Sequence, residues 1–261
     1  MEDKLVSIAM ATYNGEKYLR EQLDSIYNQT YKNIDVIVCD DCSADTTIKI
    51  LEDYKQKYGL IYYINKKNLG HVKNFEKAIS LCKGDFIALS DQDDIWLPEK
   101  IEILLHEIQV YSLIYSDVKY IDANDNVFVE SEREILQLEK KILIRSFKDV
   151  SFFDSEYKIG YTKGCTMLFK REVAKKAIPI PDFERQHDWW INIVALRLNG
   201  IKYYSKPLML YRKHSDNLSS NPKSIFYKKY FNNIRLFLQP VYRIIKSVQR
   251  LYKLKDFGFK I

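Results

Sequence analysis

The feature that most constrains this chain is an alternation across its first ninety residues. Short apolar, β-rich runs at Leu5 to Ala11, Ile34 to Cys39, Ile61 to Ile64 and Phe86 to Leu89 are separated by stretches at Lys17 to Asn28, Thr46 to Tyr58 and Val72 to Leu81, whose apolar residues recur at helical spacing. Strand, helix, strand in that rhythm is the pattern of βαβ units, so the sequence predicts an α/β fold with a mostly parallel central sheet flanked by helices. Each predicted strand ends in a polar loop: Thr12-Tyr13-Asn14-Gly15, Asp40-Asp41-Cys42-Ser43, Asn65 to Gly70, and Ser90-Asp91-Gln92-Asp93-Asp94. Ligands of open parallel sheets bind at the carboxyl ends of the strands, so these four loops are expected to converge on one site.

Composition narrows what that site can be. With 46% hydrophobic and 29% charged residues over 261 positions, the chain is neither disordered nor fibrous. Its eight glycines are too dispersed for a G-x-G-x-x-G or Walker phosphate loop, which argues against a nicotinamide enzyme or a P-loop ATPase. The start, Met-Glu-Asp-Lys, lacks the features of a signal peptide, and no apolar run reaches ~18 residues, so a cytoplasmic protein without a spanning helix is expected. Cys39, Cys42, Cys82 and Cys165 are too scattered for a disulfide scaffold, and Cys39-x-x-Cys42 lacks the partners of a zinc site. They are read as reduced thiols.

Beyond Pro98, which suits the first turn of a helix running to about Gln109, come an expected strand at Leu113 to Val118 and a turn at Asn124-Asp125-Asn126. The rhythm then breaks down. Residues from about Glu130 to Gly160 read as an irregular insertion, followed by a strand near Cys165 to Phe169, a helix from about Asp188 to Leu198 and a strand pair ending at Tyr211. Ser43 and Asp45 are the expected N-caps of the second helix.

The sharpest chemical signal is Asp91-Gln92-Asp93-Asp94, three carboxylates in four positions after an apolar run. Carboxylates so crowded repel one another unless a cation lies among them, as in a hard divalent metal site. An aspartate cluster that caps the following helix is the plainer alternative. Asp40 and Asp41 are ordinary strand-to-helix residues that gain weight by lying beside Tyr13, whose ring could stack on a base. His187-Asp188-Trp189-Trp190 sets a carboxylate among large aromatics, which can raise its pKa toward general-base duty. Tyr211-Arg212-Lys213-His214 brings an imidazole next to two cations suited to phosphate.

Taken together and in this order, Ala11-Thr12-Tyr13-Asn14-Gly15, Asp40-Asp41-Cys42-Ser43, Asn68-Leu69-Gly70, Asp91-Gln92-Asp93-Asp94-Ile95-Trp96 and His187-Asp188-Trp189-Trp190 resemble family 2 glycosyltransferases over about residues 4 to 215. The variant with Ser-Asp-Gln-Asp-Asp and His-Asp-Trp-Trp looks most like bacterial rhamnosyltransferases of cell-surface polysaccharide assembly. The resemblance implies a GT-A fold and a nucleotide-sugar donor, dTDP-rhamnose or a UDP-sugar, held by Ala11, Thr12, Tyr13, Asn14, Asp41, Asn68, Lys73, Asp91 and Gln92. It implies Mn²⁺ or Mg²⁺ on Asp93 and His214, and Asp188 as the base that lets an acceptor hydroxyl displace the nucleoside diphosphate with inversion. The Gln-x-x-Arg-Trp signature of processive members is absent, which favours transfer of a single sugar.

Lys223 to Ile261 carry ten basic residues against one acid, +9, which leaves the rest of the chain at −3 within a total of +6. Val241, Ile244, Ile245, Val248, Leu251 and Tyr252 recur at helical spacing among those cations. A catalytic domain over 1–222 and a basic amphipathic helical extension over 223–261 are therefore expected, the extension lying on an anionic membrane inner face near a lipid-linked or oligosaccharide acceptor, or against a second subunit of a homo-oligomer. The acidic body argues against nucleic acid. Two alternatives stay open: a haloacid dehalogenase-type phosphatase using Asp91 and Asp93, and a non-catalytic nucleotide-sugar-binding subunit of a glycan assembly complex.

Overall fold

A computed structural model describes residues 4–132, 162–182, 184 and 186–214. The chain divides into two compact units, Met1–Arg212 and Lys213–Ile261, the second described only at its first two residues. The predicted insertion beyond Glu132 and the basic extension lie outside the described residues.

In the first unit the predicted alternation is realised as β1 (Val6–Thr12), α1 (Leu19–Tyr27), β2 (Ile34–Asp40), α2 (Thr47–Tyr58), β3 (Ile61–Ile64), α3 (His71–Leu81) and β4 (Phe86–Ser90). They are followed by β5 (Ile95–Trp96), α4 (Lys100–Ile108), β6 (Leu113–Ile121), β7 (Val127–Val129), a 3-10 turn at Gly164–Thr166, β8 (Met167–Lys170), α5 (Arg171–Ala177), α6 (His187–Arg197) and β9 (Ile201–Arg212). The sheet runs β3-β2-β1-β4-β8-β6-β9-β5, with β7 paired to β6. β1, β2, β3 and β4 are mutually parallel, as is β6 with β9, whereas β8 runs antiparallel between β4 and β6.

Period-2 alternation divides the core. Val6, Ile8, Met10, Val36, Val38, Phe86 and Ala88 join one cluster with Leu19, Leu23 and Ile26 of α1, Ile50, Leu51 and Tyr54 of α2, and Ile101, Leu104, Leu105 and Ile108 of α4. The intervening residues Ala9, Ile37, Cys39, Ile87 and Leu89 are buried too. Here α3 lies against β1 and β2 and contributes buried Phe75, Ala78 and Ile79. Both faces are covered, as a parallel sheet requires.

Some expectations need correction. The strand pair expected to end at Tyr211 is one strand, β9. Its register against β6 steps from Ser116↔Tyr204 to Asp117↔Pro207, so the irregularity absorbs Pro207, which has no N–H to give the ladder. Ser43 does not cap α2, because its hydroxyl and backbone N–H both go to Asp40; Asp45 Oδ1 accepts from Thr47 N (3.0 Å) at that helix start. The strand expected from Cys165 begins at Met167, after the 3-10 turn. All four cysteines are free.

Candidate active site

The loops after β1, β2, β3 and β4 meet at the carboxyl edge of the parallel sheet and are stitched to one another. Asp40, fully buried at the end of β2, accepts from Thr12 Oγ1 (2.8 Å), Ser43 Oγ (2.5 Å) and Ser43 N (2.8 Å). Asp41 N donates to Thr12 O (2.9 Å). The Asp41 carboxylate accepts from Asn65 Nδ2 (2.8 Å), Leu69 N (2.7 Å) and Gly70 N (2.8 Å), so it fixes the loop between β3 and α3. Asn68 closes that loop further, its Nδ2 donating to Asp41 O (3.3 Å) and its Oδ1 accepting from Gly70 N (3.0 Å). Asn74 of α3, buried, donates to Cys39 O (2.8 Å) and accepts from Asn65 Nδ2 (2.9 Å).

Tyr13 stands about half exposed above this floor, at 51% of its surface. Gln92 grips its backbone from the β4 loop: Tyr13 N donates to Gln92 Oε1 (2.8 Å), and Gln92 Nε2 donates to Tyr13 O (3.0 Å). The grip needs Gly15, since a Cβ there would lie 2.4 Å from Gln92 Oε1. Asn14 N donates to Ser43 Oγ (2.8 Å), and its Oδ1 accepts from Ala44 N (2.9 Å). Ala11 is half-buried beside Cys39 in the β1/β2 ladder. Thr12, Gln92 and Asn14 thus spend their polar groups on the protein and shape the rim, whereas the Tyr13 ring is the large exposed surface among them.

The acidic loop is crowded. Asp91, Asp94 and Cys165 each offer a ligand atom within 4.8 Å of the others. Burial, then the neighbouring Asp93, pushes the Asp91 carboxyl up to about 7, with Asp188 adding to the rise. Burial with Asp93 and Asp91 also raises Asp94 well above the usual carboxylate range. Asp94 Oδ1 accepts from Arg212 N (3.1 Å), while its buried Oδ2 has no conventional partner, only the Cys165 thiol beside it. Carboxylate oxygens in mutual repulsion, one of them orphaned, fit a hard divalent cation; the Cys165 thiol, kept protonated by burial and by these carboxylates, is the poor ligand of the set.

A second charge lies beneath the loop. Lys100, fully buried in the first turn of α4, donates to Cys165 O and lies 3.7 Å from the centre of the Trp96 ring. Burial lowers it to about 7 against the opposing pull of Asp94 and Asp91.

Asp188 sits in the first turn of α6, half-buried, with Oδ1 accepting from Trp189 N (2.7 Å). Its charge is felt at Asp91, so Asp188 and the acidic loop share one field. Trp190 pins the helix through Nε1 to Ala177 O (2.7 Å). His187 is buried, stacked on Phe75 (4.1 Å) and edge-on to His71 (6.2 Å), and a Cβ on Gly164 would meet its Nε2 at 2.8 Å. Neither ring nitrogen has a partner, and burial lowers its pKa to about 4 despite Asp188.

The expected residues Ala11, Thr12, Tyr13, Asn14, Asp41, Asn68, Asp91, Gln92 and Asp93 therefore come together, with Asp188 near them. Lys73 is engaged elsewhere: its ammonium is shared by Glu76 (3.0 Å), Asp182 (3.0 Å) and the Ile180 carbonyl (2.8 Å). His214 falls in the second unit, two residues past β9. Arg212, expected to suit phosphate, is instead buried and bonded to protein. Cys165 and Lys100 were missed as parts of this site. Lys100 carried one signal, since it continues the buried stripe Leu104 and Ile108 at spacings of four.

An open, mostly parallel sheet whose strand-end loops gather an exposed tyrosine, an acidic loop and a helix-borne carboxylate defines a nucleotide-sugar transferase of the GT-A type. Residues 7–177 match the family described as glycosyl transferase family 2, and the chain belongs to that family. It is 33% identical over 204 residues to an uncharacterized glycosyltransferase of Methanocaldococcus jannaschii, covering 75% of this chain and 66% of the relative. It is 32% identical over 223 residues to a dTDP-rhamnosyl transferase of Shigella flexneri, covering 80% and 72%. TarS of S. aureus in complex with UDP-GlcNAc shares the fold at a TM-score of 0.64 and 24% identity, over 84% of this chain and 61% of that one. The phosphatase alternative has no support in these relationships.

Proposed function

We propose that the protein moves one sugar from a nucleoside-diphosphate donor to a hydroxyl of a lipid-linked or surface-polysaccharide acceptor, with inversion. In this reading Tyr13 stacks on the base and the Asp41-held loop borders the nucleoside. Asp91 and Asp93, with Asp94 behind them, hold Mn²⁺ or Mg²⁺, which when bound stabilises negative charge on the diphosphate. Asp188 takes the proton of the acceptor hydroxyl as that oxygen bonds to the anomeric carbon; the bond from that carbon to the diphosphate breaks, and the nucleoside diphosphate leaves with the electron pair.

The observation that carries the reading is the meeting of Asp188 with the crowded Asp91–Asp94 loop in one field. The Shigella flexneri relative makes dTDP-rhamnose a leading donor. An Escherichia coli relative, 27% identical over 264 residues and covering 95% of it, is a UDP-Glc:alpha-D-GlcNAc-diphosphoundecaprenol beta-1,3-glucosyltransferase, which points to a diphosphate-linked lipid acceptor. Among the described residues no helix is long and apolar enough to cross a membrane. The +9 sequence from Lys223 supports a peripheral hold on anionic lipid at the cytoplasmic face.

The test is calorimetric titration with UDP-, dTDP- and GDP-sugars, with and without Mn²⁺, on wild type and Asp93→Ala. Selective binding of one donor, strengthened by metal in wild type and not in the variant, is expected. If no nucleotide binds under any condition, the donor reading fails and a scaffold role takes its place.

A further inference from the structure

Arg212 ends β9 with a side chain only 1% exposed. A guanidinium taken out of water is costly unless its donors are paired, so what surrounds it is drawn into fixed geometry. Its Nη2 donates to Glu21 of α1 (2.6 Å), and its Nη1 to the Asp125 carboxylate and the Asp122 carbonyl, both in the turn between β6 and β7. Its plane lies over the Tyr18 ring at 4.5 Å. Two contacts go to the acidic loop: Nε donates to the carbonyl of Asp93 (2.9 Å), and the backbone N–H donates to Asp94 Oδ1 (3.1 Å).

Those two contacts have a consequence for the carboxylates. Asp91, Asp93 and Asp94 fall within four positions of one loop, and like charges so close repel, so a loop free to relax would splay them toward water. Arg212 opposes that by gripping one residue through its carbonyl and the next through its carboxylate. Its own anchors, Glu21 and Asp125, lie on two other elements. Four of its five guanidinium N–H groups go to protein acceptors, and the side chain is almost wholly removed from solvent.

We infer that Arg212 is a positioning residue that holds Asp93 and Asp94 in the geometry that receives the divalent cation, so that it sets metal affinity without touching metal or phosphate. This inference rests on the metal reading proposed above. Arg212→Lys keeps the charge and the main-chain bond to Asp94 but removes the fork and its bond to the Asp93 carbonyl, which separates side-chain geometry from electrostatics.

The experiment is Mn²⁺ binding to wild type and Arg212→Lys, read by electron paramagnetic resonance of the free ion, together with transfer rates across a Mn²⁺ series. Loss of such an outer partner is expected to weaken Mn²⁺ about tenfold, with the turnover rate recovering at saturating Mn²⁺. A variant that melts lower yet binds Mn²⁺ as wild type does would overturn the inference and leave Arg212 a stability residue.

Should Arg212→Lys not fold, Glu21→Gln and Asp125→Asn loosen one exposed anchor each. Each is then expected to weaken Mn²⁺ about threefold, less than the ~10-fold loss of a direct outer partner because each removes only one anchor of Arg212, and unchanged affinity in both would overturn the inference equally. Wild type that binds neither Mn²⁺ nor Mg²⁺ refutes the metal reading itself, and this inference with it. Binding in wild type with unaltered variants refutes only the role of Arg212.

Discussion

The loops after β1, β2 and β3 and the region around the acidic loop and α6 treat their buried polar atoms in opposite ways. In the first, the Asp40 and Asp41 carboxylates accept six hydrogen bonds between them from side-chain and backbone donors, and Asn74 and Asn65 are paired to each other. In the second, both nitrogens of His187 and both amide atoms of Asn192, one helical turn beyond Asp188, lack hydrogen-bond partners, and Asp94 Oδ2 has only the Cys165 thiol beside it. A satisfied polar network is rigid, and an unsatisfied one carries a free-energy cost of about 1–3 kcal/mol per group. The region proposed to hold the donor is therefore built before any ligand arrives, and the region proposed to react holds polar groups kept at the expense of stability.

The largest test of this contrast is Asp188→Asn. The change keeps the shape and removes the proposed base, so transfer should fall by about 10²–10⁴ while donor affinity stays near that of wild type. A parallel loss of donor binding would mean that the two regions are not separable. Normal turnover would take the base role from Asp188.

Next in size is acid stability, where His187 distinguishes the two regions. Its folded value of about 4 lies below the ordinary value of about 6.5, so the folded protein refuses a proton that the unfolded chain accepts. The stabilising contribution is complete above about 6.5 and is lost as pH falls toward 4, at ~1.4 kcal/mol per pH unit and ~3 kcal/mol in all. His187→Phe keeps a ring against Phe75 and removes the titration. Urea unfolding at about pH 6.5, 5.5 and 4.5 should show a shallower loss in the variant than in wild type; equal slopes would show that His187 is not the group responsible.

How much of this was legible depended on which contacts are local in sequence. Strand order in the β1–β4 half follows from periodicity and from right-handed βαβ connection, so the convergence of Thr12, Asp41, Asn68 and Asp91 was readable before any coordinates. The partners of Arg212 are Glu21, Asp93, Asp94, Asp122 and Asp125, separated from it by 87 to 191 residues along the chain, and no local pattern encodes such pairings. It was accordingly read as a phosphate cation. The pairing of Lys73 was illegible for the same reason, its carbonyl partner Ile180 lying 107 residues away. β5 and β7, two and three residues long, are held by pairing with β9 and β6 and have too few positions to show a period.

Asp41→Asn tests the built side at a smaller scale. The amide can still accept on one oxygen but presents an N–H to Gly70 or Leu69, leaving a backbone donor unpaired at ~1–3 kcal/mol. Lower thermal stability together with weaker donor binding is expected, because the loop it fixes borders the proposed nucleoside site. Weaker binding with unchanged stability would instead make Asp41 a direct ligand contact with no part in building the loop.

The smallest effect belongs to the grip of Gln92 on Tyr13, which is exposed and so worth about 1 kcal/mol net. Gln92→Ala should raise the donor KM roughly fivefold, the factor that corresponds to ~1 kcal/mol. Gly15→Ala should do the same by a different route, since its Cβ would displace the Gln92 amide from 2.4 Å. If both act only through that amide, the double variant is no worse than Gln92→Ala alone, because the clash has nothing left to displace. Additive losses would show that Gly15 serves the backbone path of the loop itself, and the rim around Tyr13 would then be held by main-chain geometry and not by the reach of a side chain from β4.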